Sequence, residues 1–146
     1  MSEKENIQLA EQAIADINAR NIDSYLKRVD ESFVGESEIA PGPVRGPQGV
    51  RQMLEMQLNA FPDLHFDIEQ VIASGDNVVV RARLTGTQKG AFLGIAPTNK
   101  KVTWRSCNVV EVRNGKAVRS RIYSDTASLL EQLGALTIGR AKAARS

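Results

Sequence analysis

Around Phe61-Pro62-Asp63 the spacing of apolar residues changes period, and this change constrains the fold more than any other feature. Upstream, Ile7, Ala10, Ala13, Ile14 and Ile17 recur at helical spacing, with Glu3, Glu11, Asp16 and Arg20 on other faces. Asn21 and Asp23 offer a break and a new N-cap, and Tyr25, Leu26 and Val29 mark a second, short helix. Phe33-Val34 opens an extended segment toward Ile39, and Pro41-Gly42-Pro43 then forces a loop. Gly46-Pro47 reads as a helix start, with Val50, Met53, Leu54, Gln57, Leu58 and Phe61 as one stripe. That helix ends at Phe61 because a residue before proline avoids the helical region.

Downstream the period is two. Leu64, Phe66 and Ile68 alternate with His65, Asp67 and Glu69. Gly75-Asp76-Asn77 is a turn, residues 78–84 and 102–112 read as strands, and Asn114-Gly115 is a hairpin signal whose second strand is 117–123. Leu129 to Gly134 closes the chain with a short helix. Helices first, then a meander of strands, imply an α+β fold with an antiparallel sheet. A long sheet with helices on one face curls and encloses a pocket, the default place for a ligand. The expectation is one domain over residues 1–136 and a basic, flexible tail over 137–146.

Composition excludes several functions. The 146 residues carry 19 basic and 17 acidic side chains, a net charge of +2, and the excess sits in the tail Arg140-Ala141-Lys142-Ala143-Ala144-Arg145. That is not the concentrated basic face of a nucleic-acid binder. No apolar run is long enough to span a bilayer, so no membrane role is expected. Cys107 is the sole cysteine and His65 the sole histidine. They cannot form an intrachain disulfide or a structural zinc site, which fits a soluble cytoplasmic protein with no metal.

The strand pattern leaves candidate polar groups with two readings each. Val79, Arg81 and Arg83 share one face of their strand, and Val78, Val80, Ala82 and Leu84 share the other. The arginines either meet solvent, or one enters the pocket to hold an anionic or carbonyl oxygen. Trp104, Ser106, Asn108 and Val110 form one face of the next long strand. Asn108 is either a pocket hydrogen-bonder or a satisfied core amide. Glu36 and Glu38 are either an exposed acidic edge or acid/base partners of Asp125. Asp125 itself, within Ser124-Asp125-Thr126, is a good N-cap or a pocket carboxylate. His65 is expected on solvent or at a subunit interface, and Cys107 as a small, partly buried residue. The apolar loop over residues 91–97 is expected to cover a pocket mouth or meet a second subunit.

Four segments carry a resemblance. They are Gly46-Pro47-Gln48-Gly49-Val50-Arg51, Phe61-Pro62-Asp63-Leu64-His65-Phe66, the stretch from Gly86-Thr87-Gln88 to Ala96-Pro97-Thr98, and Asp125 through Leu133-Gly134. In that order they resemble the SnoaL-like polyketide cyclases, also called ester cyclases, of the nuclear-transport-factor-2-like superfamily. The resemblance implies a cone-shaped, cystatin-like α+β barrel with an internal apolar pocket, commonly a homodimer through the outer sheet face. It implies intramolecular aldol chemistry on a small hydrophobic carbonyl compound, with no cofactor and with Asp125 as general acid/base. A likeness to limonene epoxide hydrolases, whose strand carries an Arg-x-Asp pair, moves Arg81 toward the cavity, where it is expected to act catalytically with Asp125 by steadying a developing oxyanion. Arg83 stands where that pair has its acid, which removes the hydrolase chemistry. Trp104, Tyr123, Asn108, Glu38, Phe33 and Met53 are the residues expected to line the pocket or bind substrate. Gln88 replaces a frequent histidine, and Arg119 and Arg121 stand where the family often has Glu and Trp. A non-catalytic binding or dimerisation module is the alternative.

Overall fold

The computed structural model describes residues 2–139, so residues 140–146 of the tail expected over 137–146 lie outside the described residues. Helix α1 spans Glu3–Asn18 and opens with a capping box in which Ser2 and Glu5 satisfy each other's backbone N–H groups. Helix α2 covers Ile22–Leu26, with the Asn21 side chain accepting from the Ser24 N–H at its start. Strand β1 (Val29–Ser37) and the two-residue β2 (Val44–Arg45) precede α3 (Gly46–Ala60), which carries a proline in its first turn. Then come β3 (His65–Ser74), β4 (Asn77–Thr87), β5 (Lys101–Arg113), β6 (Lys116–Ser124) and α4 (Thr126–Gln132).

The six strands form one sheet in the order β2-β1-β6-β5-β4-β3. All neighbours run antiparallel except β1 and β6, which are parallel. This pairing joins the chain's first strand to its last and was not expected from the local pattern. Strand β1 also begins at Val29, a residue that the helical spacing had placed in α2. Val29 pairs with Ala117 and packs with Phe33 and Leu54, so tertiary burial overrides the local period.

Helices α1 and α3 lie on the concave face of the sheet. Ala10 and Ile14 of α1 pack against Val78, Val80 and Val112. Val50 and Leu54 of α3 pack against Val29 and Phe33. At the end of α1, the Asn18 amide donates to the Phe66 carbonyl and accepts from its N–H, each at 2.9 Å, and so fixes the helix to β3. Helix α4 is clamped to β5 by Gln132, which accepts from the Thr103 N–H at 3.0 Å and donates to its carbonyl at 2.7 Å. The register of β3 against β4 shifts between Ile68 and Gln70, a bulge that lets the sheet curve around the helices.

Between β4 and β5 the chain folds back on the barrel mouth. Gln88 is fully buried and holds this loop from within. Its Nε2 donates to the Gly90 and Ile95 carbonyls, and its Oε1 accepts from the Thr98 N–H and hydroxyl. Lys89 and Gly90 both donate to the Ala60 carbonyl, so the loop rests on the end of α3. A side chain at Gly90 would collide with the Asn59 carbonyl, which explains the glycine. Phe92 is thereby buried edge-on against Phe61, at 5.2 Å between ring centroids, and Phe61 also packs on Trp104.

Candidate functional site

The sheet and the helices enclose a cavity of about 140 Å³. Its wall is mostly aliphatic and aromatic, with Ile14 and Ile17 from α1, Met53 and Leu54 from α3, Val80 and Leu84 from β4, and Trp104 from β5. Phe92 closes it from the loop. The strict alternation of β4 and β5 produces this lining, because every second side chain of each strand points inward. The polar groups on the wall are few: Tyr25, Arg28, Gln57, Ser106, Asn108, Ser124 and Thr126. None of the described residues on the wall is Asp, Glu or His.

Three of the expected pocket residues stand on this wall: Trp104, Asn108 and Met53. The Asn108 Oδ1 is buried and has no hydrogen-bond partner among the described residues. A buried acceptor left unpaired costs about 1–3 kcal/mol, so this oxygen favours any ligand that brings a donor to it.

Other placements differ from expectation. Arg81 is on the convex face, opposite Cys107, and its Nη1 donates to Gln70 Oε1 at 2.9 Å. The alternation of β4 puts Ala82 inside and therefore Arg81 outside. Arg81 is thus corrected from an expected catalytic residue of the pocket to a surface one. Tyr123 pairs with Cys107 on the same convex face and is 61% exposed. It shapes the outside of the sheet, not the pocket. Phe33 is buried between β1 and α3 but does not reach the cavity.

Asp125 is exposed and is the N-cap of α4, accepting from the Ser128 N–H at 3.1 Å. Its neighbours Ser124 and Thr126 line the cavity, while its own carboxylate does not. Glu38 stands at the same rim. Its Oε1 accepts from the Ser124 N–H at 2.8 Å and from the Thr126 hydroxyl at 3.0 Å. Glu36, by contrast, faces Arg119 at 3.3 Å and Arg121 at 3.9 Å, so these arginines pair with each other's shared acid and not with Asp125.

Tyr25 and Arg28 were not anticipated on the wall. They sit where α2 passes into β1, a junction whose short helix gives too little periodicity to reveal an inward face. Burial pushes the Tyr25 phenol above its ordinary value, with the nearby Arg28 charge pulling the other way. Arg28 donates through Nη1 to Asp16 and to the Ser24 carbonyl. Among the described residues no group of three or more His, Cys, Asp or Glu is placed to hold a metal ion, and no helix is long and apolar enough to cross a membrane.

A family model, SnoaL-like polyketide cyclase, matches residues 8–133. The chain belongs to that family. Its barrel is correspondingly that of solved relatives. AclR from Streptomyces galilaeus, a proposed hydroxylase, superposes with a TM-score of 0.83 at 28% identity, covering 93% of this chain and 100% of that one. A proposed SnoaL-like polyketide cyclase from Jannaschia sp. CCS1 gives 0.83 at 24% identity, covering 92% and 95%. IdmH from Streptomyces antibioticus, a proposed polyketide cyclase, gives 0.74 at 24% identity, covering 87% and 96%. The last two likenesses establish the fold alone. None of the curated proteins matches.

Proposed function

We propose that this SnoaL-like protein takes a small hydrophobic carbonyl compound into its cavity and catalyses a cyclase-type reaction on it, by acid/base chemistry next to the carbonyl. The observation that carries this reading is the apolar cavity, whose unpartnered Asn108 oxygen can accept from a hydroxyl of the substrate or of its enol. An apolar enclosure with few, placed polar groups is what a small-molecule site requires. Membership of the cyclase family supports the reaction class. Fold likeness does not fix it, because AclR is described as a hydroxylase on the same barrel.

The acid/base work is assigned to the rim carboxylates, since the described wall itself offers none. Glu38 meets the cavity through the Thr126 hydroxyl, and Asp125 sits between two wall residues. Either removes a proton α to a carbonyl only when the substrate extends to this rim. The test is exchange of α-hydrogens of a bound aryl ketone in heavy water, followed by NMR. Catalysed exchange that falls in Glu38→Gln or Asp125→Asn supports the enzyme. Asparagine is as good an N-cap as aspartate, so loss in Asp125→Asn is not a folding effect. Saturable binding with no exchange above background would instead favour the container without chemistry.

The assembly proposed is a homodimer through the convex sheet face. Tyr123 is 61% exposed there and Ile72 47%, large side chains on the outer face that a second copy would cover. Cys107, half-buried and unpaired, is consistent with a reducing cytoplasm.

A further inference from the structure

We infer that Arg28 and Tyr25 form an oxygen-binding subsite at the α2–β1 end of the cavity, and that it receives a neutral carbonyl oxygen, so the ligand is a ketone or ester and not a carboxylate. The inference rests on the cavity-uptake reading and assigns the ligand's polar end within it.

A guanidinium carries five N–H groups. Arg28 commits only Nη1, to Asp16 and the Ser24 carbonyl. Its Nε and Nη2 have no partner among the described residues, although Arg28 stands on the wall of a mostly apolar cavity. A link between α1 and α2 would need only the one nitrogen. Tyr25 lines the same cavity, and its hydroxyl likewise has no partner among the described residues. Burial keeps that phenol protonated, so it offers a donor. The influence of Arg28 on it places the two groups within electrostatic reach of each other. Tyr25 packs in a cluster that includes Ile17, Val29, Leu54 and Ala117, all aliphatic.

Charge balance selects the acceptor. The Arg28 guanidinium is already matched by the Asp16 carboxylate, with side-chain exposures of 23% and 16%. A carboxylate ligand would bring a second anion into the cavity with no second cation on the described wall, at a large desolvation cost. A carbonyl oxygen needs only donors, and Nε, Nη2 and the Tyr25 hydroxyl supply them.

This subsite is distinct from Asn108. Arg28 lies level with Ala117, whose strand partner is Val112. Val112 is four residues along β5 from Asn108, about 13 Å of strand. Asn108 Oδ1 accepts, whereas Arg28 and Tyr25 donate. The cavity volume suits a molecule of about one aromatic ring.

The test compares acetophenone, ethylbenzene and benzoate by calorimetric titration of the full chain. Acetophenone should bind about tenfold tighter than ethylbenzene, the worth of a hydrogen bond made in the cavity. Benzoate should bind no better than ethylbenzene. Tyr25→Phe and the charge-balanced double variant Asp16→Asn/Arg28→Met should each cut the ketone preference several-fold while leaving ethylbenzene affinity unchanged. Ethylbenzene binding by each variant certifies that its cavity is intact. The subsite is overturned if the ketone preference survives both variants, if it depends on Asn108→Leu alone, or if benzoate binds tightest. If neither acetophenone nor ethylbenzene binds the native protein, cavity uptake itself fails and the subsite with it.

Discussion

At the scale of single residues, the same side chain can satisfy two sequence readings, and its neighbours decide between them. Asp125 fits both a cap and a pocket carboxylate in the sequence. In the fold its Oδ1 accepts from the Ser128 N–H while Ser124 and Thr126 face the cavity. Arg81 was placed outward by alternation and inward by family likeness, and alternation prevailed because Ala82 is buried. Asn108, Trp104 and Met53 were legible because they belong to long, regular faces. Arg28 was not, because a charged residue at a helix–strand junction has no periodic context. Asp63 illustrates a local effect with a measurable consequence. The Thr87 N–H donates to it at 2.6 Å and the Thr87 hydroxyl at 2.8 Å. The backbone bond is the main cause that holds this carboxyl below its ordinary value. Its folded value is depressed, so its contribution is complete above about pH 4 and fades as pH falls through the lower folded value. Asp63→Ala should cost about 1 kcal/mol at neutral pH, discounted for exposure, and should flatten the acid limb of stability. Denaturant melts at several pH values measure this. An unchanged acid limb would remove Asp63 from the acid response.

At the scale of elements, regular stretches were readable and long-range pairings were not. The helices α1 and α3 and the strands β4, β5 and β6 fall where period and turn chemistry place them. The parallel contact of β1 with β6 joins residues far apart in the chain, and no local pattern encodes it. The β4–β5 loop was expected over a pocket mouth or against a second subunit, and Phe92 does stand on the cavity wall. What fixes the loop is Gln88, whose amide satisfies groups of Gly90, Ile95 and Thr98 at once. Gln88→Leu keeps the volume roughly but strands these buried polar groups. The expected loss is about 3 kcal/mol of stability, with faster amide exchange at Thr98 and Ile95. Unaltered exchange at both amides would mean that the Phe92 contact alone holds the loop.

At the scale of the whole molecule, one curved sheet produces two surfaces with different uses. Its concave face, closed by α1, α3 and the Phe92 loop, makes the cavity. Its convex face carries Arg81, Tyr123 and Ile72, which explains why residues sought in the pocket lie outside it. If that face forms a dimer, Ile72→Asp with Tyr123→Asp should give a monomer in sedimentation that still binds cavity ligands. A dimer that survives both changes would place the interface elsewhere. The central claim is uptake of a small hydrophobic carbonyl compound into the enclosed cavity. It is tested most directly by intermolecular NMR contacts from acetophenone to methyl-labelled protein. Uptake predicts cross-peaks from the ring protons to the Val80, Ala82 and Met53 methyls; cross-peaks confined to Ile72 on the convex face, or none at saturating ketone, would contradict it.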